Sequence, residues 1–187
     1  MLPAFSSGHR ETARVLAQKV REFVDEIIIP NEPQLSRPGA QALQLQSDLA
    51  LEARQAGLYG LFYPLSHGGK IASLEDYLLV AEQEGRTEFS QAIFASHTAL
   101  DAHMLSRFGN AIIRQQFLQP MANGEALPCY GMTEPGQSGS IPGLITTTAH
   151  LSNGRWHVNG RKWFISNADR ATFMTILART AGKETAL

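Results

Sequence analysis

The chain has 187 residues, 43% of them hydrophobic, and a formal net charge of −1. That length allows one or two domains with a buried core. Lysines and arginines are scattered along the chain, which excludes a typical nucleic-acid-binding surface. No run of about 18 apolar residues is present and the N-terminus lacks a signal-peptide pattern, so we expect a cytoplasmic protein without a membrane span. The single cysteine, Cys129, cannot form an internal disulfide and fits a reducing compartment.

Apolar residues at helical spacing indicate that roughly the first two-thirds of the chain is an antiparallel helical bundle with short connections. Pro30 is expected to end the first helix, because proline lacks an N–H group and its ring clashes with the preceding turn. Ser73 and Asp76 resemble a capping box at the start of the third helix. The predicted helices span residues 11–28, 41–56, 73–85, 91–108 and 111–122.

Several titratable residues of this helical region invite a catalytic or metal-binding interpretation, which we do not favour. Glu82, Glu84 and Glu88 are interpreted as a solvated edge, because paired catalytic carboxylates need a shared pocket that nothing here indicates. His97 and His103 are six residues apart and do not share a helix face at metal-ligand spacing. We therefore expect no metal site.

From about residue 126 the hydrophobic period changes to two, and β-branched and aromatic residues become common. The predicted domain boundary lies near Gly124, which gives a helical domain over residues 1–124 and a partial β domain over residues 125–187. The predicted fold class is α+β, an all-α bundle followed by a partial antiparallel β-barrel or sheet. The predicted strands cover residues 126–132, 146–151, 156–158, 161–166 and 172–179, with a hairpin turn at residues 152–154.

The most distinctive stretch is residues 130–143, where a strand breaks into a loop rich in glycine, proline and serine. Small residues let a backbone approach a ligand closely, because no Cβ stands in the way. Thr133, Ser138 and Ser140 bring hydroxyl groups, and backbone amides in such a loop can converge on an electronegative group. This pattern predicts a loop that holds a flat, polar-edged or phosphorylated ligand.

A second stretch, residues 159–168, reads Asn-Gly-Arg-Lys-Trp-Phe-Ile-Ser-Asn-Ala, a turn followed by a predicted strand with two aromatic residues. Together with Gly-Met-Thr-Glu-Pro-Gly at residues 131–136, it resembles the acyl-CoA dehydrogenase family of flavoproteins, over about residues 51–180. Either motif alone is weak, whereas the two in this order and spacing are specific. The resemblance implies α,β-dehydrogenation of an acyl-CoA thioester, with FAD as hydride acceptor and an electron-transfer flavoprotein as the next acceptor.

The resemblance also implies which residues contact the flavin or the bound thioester. The Thr133 hydroxyl would meet the polar edge of the ring, and residues 164–166 match positions that stack on the ring and donate to its N5 or O4. Gly139 and Ser140 would lie against the pyrophosphate or the thioester, which makes Ser140 a substrate contact as well. The expected cofactor-binding residues are Tyr130, Met132, Thr133, Gly139, Ser140, Phe164, Ile165 and Ser166.

Three neighbouring residues are interpreted as structural. Trp163 should point to the face of its strand opposite Phe164, since side chains alternate along a strand. Glu134, which precedes a proline, should brace the turn. Cys129 should be a buried strand residue, because no histidine lies near it in sequence. The alternative interpretation of Trp163 and Phe164 is that one of them packs in the hydrophobic core and has no ligand-binding role.

The chain departs from the family pattern within the loop, which is one residue longer than the approximate pattern Thr-Glu-Pro-Gly-x-Gly-Ser-Asp. In the best register Ile141 stands where the family has its aspartate. The family's glutamate base comes from a C-terminal helical domain, so we expect no catalytic residue here and no activity from this chain alone. We expect a fragment or truncated gene product, in preference to a degenerate relative or to a chain whose partner supplies the rest. The expected assembly is a homo-oligomer or a complex with a partner chain that supplies the C-terminal domain. The alternative function is a non-catalytic binding module or subunit.

Overall fold

The structure, a computed structural model, describes residues 7–137, 141–180 and 183–186. Its contacts divide the chain into two compact units, residues 1–124 and residues 125–187. The first unit is helical and the second holds two small sheets, which confirms the predicted α+β class. Within the described residues, no helix combines the length and the apolar character that crossing a bilayer requires.

The helical unit is built around an apolar core in which Val20, Val24 and Ile28 are fully buried. Phe23 packs edge-on against Phe94, with ring centroids 5.4 Å apart. Short π or 3₁₀ turns separate several of its helical segments. In the described part of the unit the α-helices are α1 (Ser7–Phe23), α2 (Ile29–Leu35), α3 (Ala40–Gln55), α4 (Leu74–Glu84), α5 (Ser90–Ile93), α6 (Ala99–Phe108), α7 (Ala111–Ile113) and α8 (Gln119–Ala122).

The predicted start of α4 is confirmed by a hydrogen bond at its N-terminus. The backbone N–H of Asp76 donates to the Ser73 hydroxyl over 3.1 Å. Asn110 begins α7 in the same way, accepting from the N–H of Ile113 over 2.9 Å. Each such side chain satisfies a backbone donor that the helix itself cannot, which contributes about 1 kcal/mol.

The prediction that Pro30 ends the first helix is wrong. The chain passes from α1 through a π turn, Val24–Ile28, directly into α2, where Pro30 is the second residue. The N–H of Ile29 donates to the Val24 carbonyl five residues back, so the turn before the proline is wider than an α-helical turn. The wider turn leaves room for the ring, which would otherwise meet a carbonyl. Pro120 in α8 likewise follows a π turn, Arg114–Leu118.

The predicted continuous helix over residues 91–108 is also wrong, because the chain breaks between α5 and α6. Ala95 adopts a left-handed conformation with φ of +58°. The Phe94 carbonyl, which a continuous helix would use internally, instead accepts the N–H of Gly60 over 2.8 Å. The buried hydroxyls of Tyr63 and Thr98 then hydrogen bond to each other over 2.5 Å. Contacts with a distant loop therefore replace the intrahelical bonds here.

The described strands of the second unit are β1 (Pro128–Gly131), β2 (Thr148–Ser152), β3 (Arg155–Asn159), β4 (Phe173–Ile176), β5 (Ala178–Thr180) and β6 (Lys183–Ala186). β1 and β2 are shorter than predicted, β3 is longer, the predicted strand over residues 172–179 is divided into β4 and β5, and the pairing is mixed. The pairs β1–β4 and β2–β5 are parallel, whereas β2–β3 and β5–β6 are antiparallel, so the expectation of uniform antiparallel pairing is corrected. The parallel pairs join strands that lie far apart in sequence, where the connection is long enough for a crossover.

Candidate functional site

The two sequence motifs meet in the β unit. The chain leaves β1 through Met132 and Thr133, and the Thr133 carbonyl accepts the backbone N–H of Trp163 over 3.0 Å. The Lys162 ammonium donates to the Met132 carbonyl over 2.9 Å. Two hydrogen bonds therefore join the start of the glycine-rich loop to the aromatic segment. Segments that line one side of a shared ligand site must lie together in this way.

Glu134 closes the base of the glycine-rich loop, which confirms its interpretation as a brace. One carboxylate oxygen accepts from the N–H and hydroxyl of Thr146 over 2.7 and 2.5 Å. The other accepts from the N–H and hydroxyl of Thr147 over 2.8 and 2.5 Å, and from the Lys162 ammonium over 3.0 Å. A single side chain thus ties the two ends of the loop to each other and to the second motif.

The environment of Glu134 keeps its carboxylate ionised. Burial alone would raise the pKa of this carboxyl, but hydrogen bonds from Thr146 and Thr147 outweigh burial and hold the pKa far below its ordinary value of 4.5. Its side chain is only 2% exposed and that of Lys162 only 8%. A carboxylate with both oxygens occupied by donors is a poor general base, so Glu134 supports the site mechanically.

The predicted strand over residues 161–166 is wrong, and with it the prediction that Trp163 and Phe164 lie on opposite faces. Phe164 has a φ of +54°, which interrupts the alternation of an extended strand. As a result the two rings touch edge to face, with centroids 4.5 Å apart. Trp163 is 49% exposed and Phe164 82% exposed, so Phe164 does not fill the core of this unit.

The other expected flavin contacts lie along the same two segments. Tyr130 is half-buried on β1, opposite Thr175 of β4. Met132, Thr133 and Ile165 are also half-buried, and the Ser166 hydroxyl belongs to an exposed residue. Two further expected contacts, Gly139 and Ser140, lie outside the described residues. Cys129 is buried on β1, as predicted.

Sequence reasoning missed several residues that hold the loop in place. Lys162 lies inside the second motif, and a run of three threonines, residues 146–148, follows the loop. Neither pattern shows that Lys162 and the first two threonines donate to the Glu134 carboxylate. Arg179 is a further anchor: its Nε donates to the Ile145 carbonyl over 2.5 Å and its guanidinium also donates to the Gly143 carbonyl. Ile141, which we predict to stand at the position of the family's aspartate, is exposed.

In the helical unit, Glu84 contradicts the interpretation of a solvated edge. It is only 4% exposed, and the Tyr77 hydroxyl donates to its carboxylate over 3.0 Å. Burial raises the pKa of Glu84, and the hydroxyls of Ser96 and Tyr77 oppose that shift only in part. The rest of α4 explains the error, because Glu84 lies on the same face as Tyr77, seven residues and two turns away.

Known proteins share both units. A model of the acyl-CoA dehydrogenase N-terminal domain matches residues 10–125, and one of the middle domain matches residues 129–187. An acyl-CoA dehydrogenase from Bacillus subtilis is 29% identical over 175 residues, covering 92% of this chain and 45% of the relative. A benzylmalonyl-CoA dehydrogenase from Aromatoleum aromaticum is 32% identical over 172 residues, covering 91% and 44%. The structure of an acyl-CoA dehydrogenase from Bacillus anthracis, complexed with FAD, matches with a TM-score of 0.72 at 26% identity, covering 100% of this chain and 32% of that one.

The fold and the joined motifs define a protein that combines a helical domain with a β domain of the kind found in acyl-CoA-oxidising flavoproteins. The chain belongs to the acyl-CoA dehydrogenase family, which confirms the resemblance found in the sequence. It spans less than half the length of the relatives it matches.

Proposed function

We propose that this chain supplies the FAD-binding wall of an acyl-CoA dehydrogenase that oxidises the Cα–Cβ bond of an acyl-CoA thioester and passes electrons to an electron-transfer flavoprotein. The observation that carries the proposal is the bond between the Thr133 carbonyl and the Trp163 N–H, which joins the loop motif to the exposed ring of Phe164. We propose residues 1–124 as the helical domain and residues 125–187 as the domain that contacts the cofactor.

The residues present fit a flavin. A flavin needs a flat apolar surface for its ring and donors along its polar edge. Phe164 offers an exposed aromatic face, and the hydroxyls of Thr133 and Ser166 offer donors on the two joined segments. Gly136 carries no side chain and lies in open space, so the loop backbone is accessible to a ligand. Covering the Phe164 ring would contribute about 1.5–3 kcal/mol to ligand binding.

The conformation of Phe164 supports the same assignment. A phenylalanine at positive φ is an uncommon and strained arrangement, and such residues cluster at functional sites where the surroundings hold them. When bound, FAD supplies the hydride acceptor. Phe164 then excludes water from one side of the ring, while Thr133 and Ser166 orient its polar edge by donating hydrogen bonds.

Reconstitution with FAD tests the proposal. The purified chain should bind FAD and show a flavin absorption band, and Phe164→Ala should weaken the affinity about 10-fold or more, from the loss of about 1.5–3 kcal/mol of apolar contact. Phe108→Ala is the matched control, because Phe108 is an exposed phenylalanine of the helical unit. Equal affinities for the two variants would contradict the role of Phe164.

Ile141 favours a second candidate, a module that keeps the family fold without redox activity. In the best sequence register an exposed isoleucine stands where the family has its aspartate, so the loop lacks that carboxylate. A colourless protein that takes up no FAD would favour this candidate. Under the first proposal the chain alone should still give no turnover in an acceptor-dye assay with a panel of acyl-CoAs, because none of its carboxylates matches the family's glutamate base. Turnover by the chain alone would contradict that part of the proposal.

A further inference from the structure

Two histidines face each other across the β2–β3 hairpin. His150 of β2 is the direct register partner of His157 of β3 in this antiparallel pair. Their imidazole rings are stacked, with centroids 5.1 Å apart and planes 15° apart, and both residues are exposed. Neither residue belongs to the joined motifs or to the proposed FAD contacts.

The hairpin has one polar and one apolar face, and the histidine pair lies on the polar one. Side chains alternate along each strand, so the residues two positions before and after each histidine lie on the same face as the pair. These are polar on both strands, whereas the opposite face carries large apolar side chains that are exposed by half or more. The polar face holds Thr148, His150, Ser152, Arg155, His157 and Asn159; the apolar face holds Ala149, Leu151, Trp156 and Val158. Whatever covers the apolar face leaves the histidine pair accessible.

We propose that His150 and His157 form a two-histidine chelate for a divalent transition ion such as Ni²⁺, Cu²⁺ or Zn²⁺. Imidazole nitrogen suits these borderline ions, and direct cross-strand partners are close enough for both rings to turn toward one ion. Each ring contributes a lone pair from a neutral imidazole, and water completes the coordination. No covalent bond changes and no oxidant is needed.

The chemistry of this face selects against hard cations. Residues 146–160 contain no aspartate or glutamate, so the hairpin offers no carboxylate ligand for Ca²⁺ or Mg²⁺. The charged side chains at neighbouring register positions are cationic: Arg155 on β3 and Arg179 on β5, which already donates to two loop carbonyls. The site therefore depends on nitrogen lone pairs and does not attract cations by its charge.

Calorimetric titration of the untagged 187-residue chain with Ni²⁺ near neutral pH tests the proposal. We expect one ion per chain, bound about 10²-fold more tightly than by a single imidazole, because the second ligand acts at a high effective concentration. His150→Gln and His157→Gln should each lose that factor. His67→Gln should not, because His67 is a half-buried histidine of the helical unit, outside the hairpin, whose ring nitrogen hydrogen bonds to the Ser66 hydroxyl.

Electron paramagnetic resonance of the wild-type chain with one equivalent of Cu²⁺ gives a readout that needs no variant. Hyperfine coupling to two imidazole nitrogens is the expected result, and coupling to one or none would overturn the proposal. Unchanged Ni²⁺ affinity in either glutamine variant, with its fold verified by circular dichroism, would overturn it as well. Loss of the factor in both variants, with His67→Gln unaffected, would establish the pair.

Discussion

Replacing the buried carboxylate of Glu134 by an amide should unfold the β unit at much lower denaturant concentration. In Glu134→Gln the new amide N–H₂ group faces either the N–H of Thr146 or that of Thr147, both of which donate to the wild-type carboxylate. The Lys162 ammonium, 8% exposed, also loses its counter-ion at 3.0 Å. Removing one partner of a buried ion pair costs about 3–5 kcal/mol. That is a large share of the about 5–15 kcal/mol that stabilises a whole domain.

Tryptophan fluorescence during urea unfolding measures this loss in the right unit, because the two tryptophans of the chain, Trp156 and Trp163, both lie in the β unit. Glu88→Gln, at an exposed position of the helical unit, should change the free energy of unfolding by less than about 0.5 kcal/mol. A loss in Glu134→Gln no larger than that of the control would refute the reasoning.

The pH dependence of the same loss tests its cause. The pKa of Glu134 is lowered in the folded state, so its stabilisation is fully present above the ordinary value of 4.5 and is lost as the pH falls through the lower, folded-state value. Wild type and Glu134→Gln should therefore differ most near neutral pH and converge in acid. A difference that stays constant from neutral pH to well below the ordinary value would contradict the assignment to the ionised carboxylate.

Three further variants and one control test contacts inside each of the two units. Gly160→Ala should destabilise the β unit by about 1–3 kcal/mol in the tryptophan assay, because a Cβ there would lie 2.2 Å from a threonine hydroxyl; Gly143→Ala, with open space at its Cβ, should not. Thr98→Val should cost the helical unit about 1–3 kcal/mol by circular dichroism, because it leaves the Tyr63 hydroxyl buried without this partner. Glu84→Gln should be at least as stable as wild type at pH 7 and lose that advantage in acid, because the raised pKa of Glu84 means that ionisation disfavours folding; a lower stability at pH 7 would contradict this.

The helical unit shows how much of a fold can be predicted from hydrophobic periodicity and helix-capping residues. Both depend on residues close in sequence, so the start of α4 at Ser73 and the general positions of the helices could be predicted. The continuation past Pro30 could not, because it depends on a π turn whose hydrogen-bond register no residue type specifies. The break at Ala95 could not be predicted either, because it depends on the hydrogen bond from the Gly60 N–H to the Phe94 carbonyl, two residues 34 positions apart in the same unit.

The candidate site shows a similar limit of prediction from the sequence, and here the limit affects a residue proposed to bind FAD, Phe164. The motifs identified two segments that the structure joins by hydrogen bonds, and the resemblance that they carry agrees with the family match. Their local conformation was missed, because the strand expected at Phe164 is interrupted by a positive φ. Lys162 donates hydrogen bonds to the Met132 carbonyl and the Glu134 carboxylate, and the Trp163 N–H donates to the Thr133 carbonyl. The backbone just before Phe164 is therefore held in place by hydrogen bonds to the loop.

That anchoring explains why both aromatic rings remain exposed and in contact. A regular strand would have turned Trp163 away from Phe164 and buried one of them. With the backbone held by Thr133 and Lys162 just before the kink, the two rings instead meet edge to face on the surface of the unit. Because one carboxylate, Glu134, holds both the loop and Lys162, weakening it should disturb the Phe164 ring without touching it. Glu134→Gln should therefore lower FAD affinity as well as stability, whereas Glu88→Gln, at an exposed position of the helical unit, should change neither.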